Sequence, residues 1–378
     1  MTLLLPLKLM NKSRSLSSFA LILLLFVGFF ACTSTLTERD TQDNQQNQAV
    51  ADVEVEGDIE EDSDVDATDA EFVSDADADQ TDGSDADQTD GSDADAAAPF
   101  AWSYEPGQTY TSESGYVEFI AGDTPIIITA PHGGYDEPDE IEDRTGTTVR
   151  DAYTLELSRE LAAAFYEATG RHPHVVSLLM ARTKLDANRE IEEAAQGDPL
   201  AEQVWHEFHA FTEEAKEFAV ATHGQGFYID LHGHGHLLQV IELGYLLSSS
   251  TLRQDDSTLD DPEYADASSI RALYYDRADE LTFSQLLRGA TSFGALLHDR
   301  GFPSVPSPER ESLAYGYPYF SGGPNTRLHG SRDGGTISGV QVEANQSIRF
   351  EEDARLEFAE GFAEAIAEFV EIHYGFEF

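Results

Sequence analysis

Cysteine is almost missing from this chain: among 378 residues there is one, Cys32. From residue 100 onward there is none, so disulfides cannot hold that part together, and packing, with or without a metal, must do so. Basic residues are scarce too. Lys and Arg number 22 against 72 Asp and Glu, a formal net charge of −50. So acidic a surface argues against nucleic acid or other polyanions as partners. No apolar run is long enough to cross a bilayer: Phe19–Ala31 falls short of the roughly 20 residues that a spanning helix needs.

What is present divides the chain into three parts. In residues 1–32, Lys8, Lys12 and Arg14 precede the short apolar run, which is the pattern of a secretory signal. Ala31 directly before Cys32 resembles a bacterial lipoprotein cleavage site, in which the cysteine is lipidated and becomes the mature N-terminus. Phe29 and Phe30 stand where that pattern usually has Leu and a small residue, so an ordinary signal with an incidental cysteine is the alternative. The expectation is an extracytoplasmic protein held to the membrane by a lipid on Cys32, or else secreted. Residues 33–99 hold 23 Asp or Glu and one Arg, and include the near-repeat DADQTDGSDADQTDGSDAD (77–95). Such a segment has too little apolar surface to offset chain entropy and reads as a self-repelling tether. Its aspartates lack the spacing and terminal Glu of an EF-hand, so calcium binding there stays open.

Residues 100–378 suffice for one large core, and carry 49 acidic and 18 basic residues. Apolar β-rich runs (Thr124–Ala130, Val175–Met180, Phe227–Leu231, Ile337–Val342) alternate with helical patterns. Val149, Tyr153, Leu157, Leu161 and Phe165 recur every four residues before Gly170. Asp198-Pro199 fits a helix start ahead of the stripe Leu200, Val204, Phe208, Phe211 and Ala215. Phe283–Arg300 and Phe350–His373 also read as helices. This alternation predicts a single layered α/β domain with a mostly parallel central sheet flanked by helices. Sites in such sheets form beyond the carboxyl ends of the strands.

Four motifs fall at those ends: TAPHGGYDEP (129–138), ARTKLDANRE (181–190), YIDLHGHGH (228–236) and GVQVEAN (339–345). A divalent metal in a hydrolase needs two or three His, Asp or Glu donors from separate segments. His132, Glu137 and His232 could supply them, since Gly133 and Gly134 allow a bend that brings Glu137 back towards His132. His234, His236 and His329 compete with His232 as the last donor. Asp230, two residues before His232 on the same strand face, suits a partner behind a ligating imidazole. Arg182, Asp186, Asn188 and Arg189 lie just past a strand, where an arginine fork could hold a substrate carboxylate, or Arg189 could form an ion pair with Glu190 or Glu193. The polar stretch 319–335 adds Asn325, Arg327, His329 and Arg332 as candidates for substrate contact, or is a structural loop. Glu343, beside Gln341 on a strand whose other face is Val340 and Val342, is the candidate proton-transfer carboxylate.

Taken together, TAPHGG, LDANR, DLHG and QVE resemble the N-formylglutamate amidohydrolase family over roughly Ile127 to Arg349. The spacing of His132 and Glu137 is also similar to that in the zinc-dependent poly-γ-glutamate hydrolases. The resemblance implies a zinc-peptidase or phosphorylase/hydrolase-like fold, with Zn2+ on His132, Glu137 and His232. It further implies Arg189 and Asn188 on a substrate carboxylate, and Glu343 as the catalytic carboxylate. HGG where Ser often follows the histidine, the extra histidines after His232 and the long 319–335 stretch depart from the deformylase pattern.

The expected activity is exported, zinc-dependent cleavage of an amide C–N bond beside a carboxylate, in an N-acyl amino acid, a γ-glutamyl chain or a short peptide. The alternatives are a metallo-carboxypeptidase or esterase on the same scaffold, and a surface binding lipoprotein without turnover.

Overall fold

The computed structural model describes residue 100 and residues 102–378. The segment expected to be a signal, with Cys32, and the acidic stretch 33–99 lie outside the described residues. Among the described residues no helix is long and apolar enough to cross a membrane.

One eight-stranded sheet organises this part, in the order β1-β2-β4-β3-β5-β8-β6-β7. The strands are β1 (Thr109–Thr111), β2 (Val117–Ile120), β3 (Ile126–Ala130), β4 (His174–Leu178), β5 (Gly226–His234), β6 (Ile241–Gly244), β7 (Ser304–Val305) and β8 (Ile337–Asn345). The four central strands, β4-β3-β5-β8, run parallel. β2 and β6 join them antiparallel on the two sides. The expected layered sheet is therefore present, with mixed edges. β3, β4, β5 and β8 are buried almost throughout, because packed cores lie on both of their faces.

Alternation along the strands separates two cores. Ile126, Ile128, Phe227, Ile229, Leu231, Val340 and Val342 pack beneath the helices Thr154–Thr169 and Glu352–Tyr374. Ile127, Val176, Leu178, Tyr228 and Ile337 face the helix Pro199–His223 through Val204, Phe208 and Ala215. Asp198 caps that helix by accepting from the Leu200 and Ala201 amides, and Pro199 occupies its first turn, as the sequence predicts.

Two helical expectations need revision. The helix expected from Val149 starts only at Thr154, and Val149 is exposed. Asp151 is drawn out of the helical path instead: its amide donates to the His132 carbonyl, and Tyr153 takes a left-handed φ of 68°. The helix expected over Phe283–Arg300 is two, Phe283–Arg288 and Phe293–Asp299. Gly289 ends the first and the Ser292 hydroxyl caps the second by accepting from the Ala295 amide. The stretch 319–335 is not wholly irregular, since it contains the helix Pro324–His329.

Gly133 and Gly134 work by absence of bulk. A Cβ at Gly134 would lie 2.3–2.4 Å from backbone atoms of Leu179 and Met180, and one at Gly133 would lie 2.4 Å from the Leu155 amide. Backbone cannot yield as a flexible side chain can, so the chain after β3 passes against β4 only if it is bare there. Gly134→Ala is expected to lower stability by about 1–3 kcal/mol through overpacking. Urea unfolding of the purified protein measures this, and an unchanged midpoint would refute the close-approach account.

Candidate metal centre

Three buried side chains converge past the carboxyl ends of β3 and β5. His132 follows β3 by two residues, His232 lies near the end of β5, and Asp151 comes from the segment before the first helix. His232 Nδ1 is 3.1 Å from His132 Nδ1 and 3.1 Å from Asp151 Oδ2, and His132 Nδ1 is 3.3 Å from the same oxygen. These atoms belong to a group able to hold a metal ion. Bonds of roughly 2.0–2.1 Å at tetrahedral angles place donor atoms about 3.3 Å apart, so the triangle has suitable edges for zinc.

The far side of each imidazole supports this. His132 Nε2 is 2.6 Å from Asp186 Oδ1, and His232 Nε2 is 3.0 Å from Asp230 Oδ2. A carboxylate on Nε2 keeps the proton there and turns the Nδ1 electron pair towards the centre. Asp230 Oδ2 makes no aligned hydrogen bond, and Asn188 Nδ2 also approaches His232 Nε2, at 3.3 Å. An amide nitrogen only donates, so Asn188 cannot accept from a ring N–H there, whereas the charged Asp230 carboxylate can. Asp230 Oδ1 accepts from Thr129, whose hydroxyl also meets Tyr228 at 2.7 Å. Arg182 Nε donates to Asp186 Oδ2 at 2.9 Å, and Arg144 stands 3.8 Å from the same oxygen.

The electrostatics favour a cation. Burial would push His232 down, but Asp230, Asp151 and Glu343 raise it well above the usual histidine value. Burial would push Asp151 up, yet His132 and His232 hold it well below the carboxylate range. Asp186 is likewise lowered against its burial, by His132 and Arg182 among others. The donor set and its charge thus fit a divalent metal.

Glu343 enters from the neighbouring strand. It pairs in register with His232 across the parallel β5–β8 ladder and with Glu242 across the antiparallel β6–β8 ladder. Its Oε1 accepts from Gln341 Nε2 at 2.8 Å. Burial, aided by Asp151 and Glu242, pushes its carboxyl up to about 8, against the opposing pull of His232.

Other expected site residues lie differently. Glu137 is exposed, and its carboxylate accepts from Thr183; the third donor in the converging group is Asp151. Arg182 is spent on Asp186, the Val149 carbonyl and, at 3.7 Å, Asp151. Arg189 pairs with exposed Glu193 at 3.1 Å, the ion-pair alternative raised by its sequence context. Arg327 pairs with Asp333 at 3.1 Å, and both are exposed. Asn188 is buried beside His232, and its Oδ1 accepts from the Asn325 amide. His329 is buried against His209, whose Nδ1 is 3.1 Å from its Nε2, and against Glu213. Sequence reasoning missed Asp151 and Arg349, and placed Asp186 past a strand without giving it a role. Arg349 braces the ends of β5 and β8 by donating to the carbonyls of His234 and Ala344.

No protein-family model matches the chain, and no curated protein matches it. Solved structures similar to it include an N-formylglutamate amidohydrolase from Ralstonia eutropha JMP134, at 11% identity and TM-score 0.42, over 68% of this chain and 98% of that one. A bacteriophage poly-gamma-glutamate hydrolase follows at 15% identity and TM-score 0.29, over 68% and 91%. The N-acetylmuramyl-L-alanine amidase Ami1 from Mycobacterium smegmatis is similar at 14% identity and TM-score 0.30, over 65% and 96%. The first two bear the names of the families that the motifs resemble.

If Asp151 is the third donor, Asp151→Asn should remove most metal bound at this centre, whereas Glu137→Gln should leave it in place. Elemental analysis of the two purified variants decides the matter. Retention by Asp151→Asn with loss by Glu137→Gln would restore the assignment read from sequence.

Proposed function

We propose that this chain is a metal-dependent amidohydrolase that cleaves a C–N bond, with zinc held by His132, Asp151 and His232. The observation that carries this reading is the register of Glu343 with His232. It sets one buried carboxylate, protonatable near neutral pH, beside a triangle of metal donors. When bound, zinc supplies Lewis-acid activation of water and of the scissile carbonyl.

The chain's own residues supply the rest. Glu343 accepts a proton from the attacking water and returns it to the departing nitrogen. Gln341 holds the Glu343 carboxyl in place through Nε2. Asp186 and Asp230 orient the two imidazoles, and Arg182 keeps Asp186 charged and fixed. A binding module gains nothing from a raised carboxyl in that place, so its presence favours turnover. Glu343→Gln preserves size and hydrogen bonding but cannot take the proton. It is expected to lower kcat by roughly 10²–10⁴-fold with zinc content and melting temperature unchanged. A panel of N-acyl amino acids, γ-linked glutamates and short peptides, with and without chelator, provides the assay. Wild-type turnover by zinc-loaded Glu343→Gln would exclude the role.

A substrate carboxylate falls to Arg189 in this reading. Its partner Glu193 is exposed, and exposed ion pairs contribute only about 0.2–1 kcal/mol, so a substrate can displace it. Its Nη1 donates to the carbonyl of Asn188, which touches His232. Arg189→Lys should then raise KM selectively for substrates that carry the carboxylate, because a point charge cannot reproduce the bidentate fork. Equal losses on neutral amides would leave Arg189 a structural ion pair.

A further inference from the structure

The histidines that follow His232 form a second cluster, which the proposed reaction does not use. His234 ends β5, His236 lies two residues on, and Glu242 sits on β6. His234 and Glu242 are buried, and His236 is half-buried. We propose that His234, His236 and Glu242 form a second divalent-metal site, separate from the His132–Asp151–His232 centre and sharing no residue with it.

Four observations point there. One ligand atom from each of the three residues lies within 4.8 Å of the others. His234 Nε2 donates to the Val240 carbonyl at 2.8 Å, which fixes the proton on that nitrogen and leaves Nδ1 as the electron-pair side. Glu242 Oε2 accepts from the Phe320 amide at 2.8 Å, which anchors the carboxylate and aims Oε1 at His236 Nδ1, 2.7 Å away. The His236 ring lies flat on Phe320, with centroids 4.9 Å apart and an interplanar angle of 6°, so it too is held in place. Each donor therefore has a support behind it, as ligating side chains require, and the half-exposed edge of His236 gives the ion a way in.

Charge supplies a reason. Glu242 and Glu343 are directly opposed on neighbouring antiparallel strands, and both are buried. Like charges in that relation destabilise a sheet unless a cation or a proton offsets them. The ion would sit on the far side of Glu343 from His232, in the row His232–Glu343–Glu242, so Glu343 would lie between two positive centres. Two imidazoles and one carboxylate suit zinc and its transition-metal neighbours better than calcium or magnesium, which prefer oxygen. Binding would cost one contact, the His236 amide to His234 Nδ1 at 3.1 Å. That amide follows exposed Gly235 and can turn to water. The competing account is that a protonated His236 pairs with Glu242 and no ion binds.

Zinc stoichiometry separates the two accounts. The full chain, stripped with chelator, is dialysed against micromolar Zn2+, and zinc per chain is measured alongside melting temperature. Metal held loosely by the acidic residues 33–99 is common to all variants and cancels in the differences. Glu242→Gln and His234→Asn should each bind one zinc fewer than wild type. His132→Asn should lose a different one, and the double variant His132→Asn/Glu242→Gln should lose two. Half-exposed His236→Asn reads the same loss if a buried variant fails to fold. Glu242→Gln and His236→Asn variants that fold and keep the wild-type zinc count would overturn the second site. So would a wild type whose only specifically bound zinc disappears with His132→Asn. If His132→Asn loses nothing while Glu242→Gln does, the second site stands and the first centre fails.

Discussion

The register between β5 and β8 is the constraint on which the rest depends. Nine consecutive pairs, Gly226 with Ile337 through His234 with Asn345, place Asp230 beside Gln341 and His232 beside Glu343. Strand side chains alternate, so a slip of one residue would send His232 and Glu343 to opposite faces and bury Leu231 or Val342 among polar groups. The apolar set prevents that slip. Phe227, Ile229, Leu231, Val340 and Val342 all fill one core, and none can leave it without loss of roughly 1.5–3 kcal/mol of burial. The fold therefore pins the chemistry through residues that take no part in it.

The same ladders concentrate buried charge. Asp151, Asp186, Asp230, Glu242 and Glu343 are all buried within a few strands of one another. Each would cost several kcal/mol if left bare, so such a group persists only with compensation. Arg182 and Arg144 offset Asp186, His132 and His232 share Asp151, and His236 meets Glu242. Burial is felt most plainly at Glu343, where His232 and Gln341 oppose the rise and the acidic Asp151 and Glu242 add to it. That imbalance raises its carboxyl into the range where it can trade protons at neutral pH.

The parts legible in the sequence were those with a strong period or a strong local signal. The four central strands each contain an apolar β-rich run, and Asp198-Pro199 marks its helix by cap chemistry. β1, β2, β6 and β7 were missed because strands of two to four residues carry too short a pattern. That His132, His232, Asp230, Asn188 and Glu343 lie close together was legible because each lies at or just past the end of a run. Asp151 was hidden inside an apparent helical repeat: Val149 and Tyr153 match the four-residue spacing, but one is exposed and the other turns with positive φ. Glu137 looked suitable because the glycines before it were read as a hinge. They are bare so that the chain can press against β4, and that path leads Glu137 outward to Thr183.

The arginines show why residue type alone misassigns roles in such a site. Arg182 sits at a strand end near the centre, as a substrate-binding arginine would, yet it is buried and donates to the carboxylate behind His132. A guanidinium in that position works at one remove. It keeps Asp186 ionised, Asp186 keeps the proton on His132 Nε2, and His132 then presents an electron pair to the centre. Arg349 acts on the backbone instead: it donates to carbonyls at the ends of both ladder strands, against Gly233, where a Cβ would strike it at 2.3 Å. Both uses depend on a planar fork that can satisfy several acceptors at once, which lysine lacks. A domain with few basic residues therefore commits buried arginines to bracing its acidic centre. Arg189, by contrast, is partly exposed and its partner Glu193 is exposed, so it is not committed to the centre in this way.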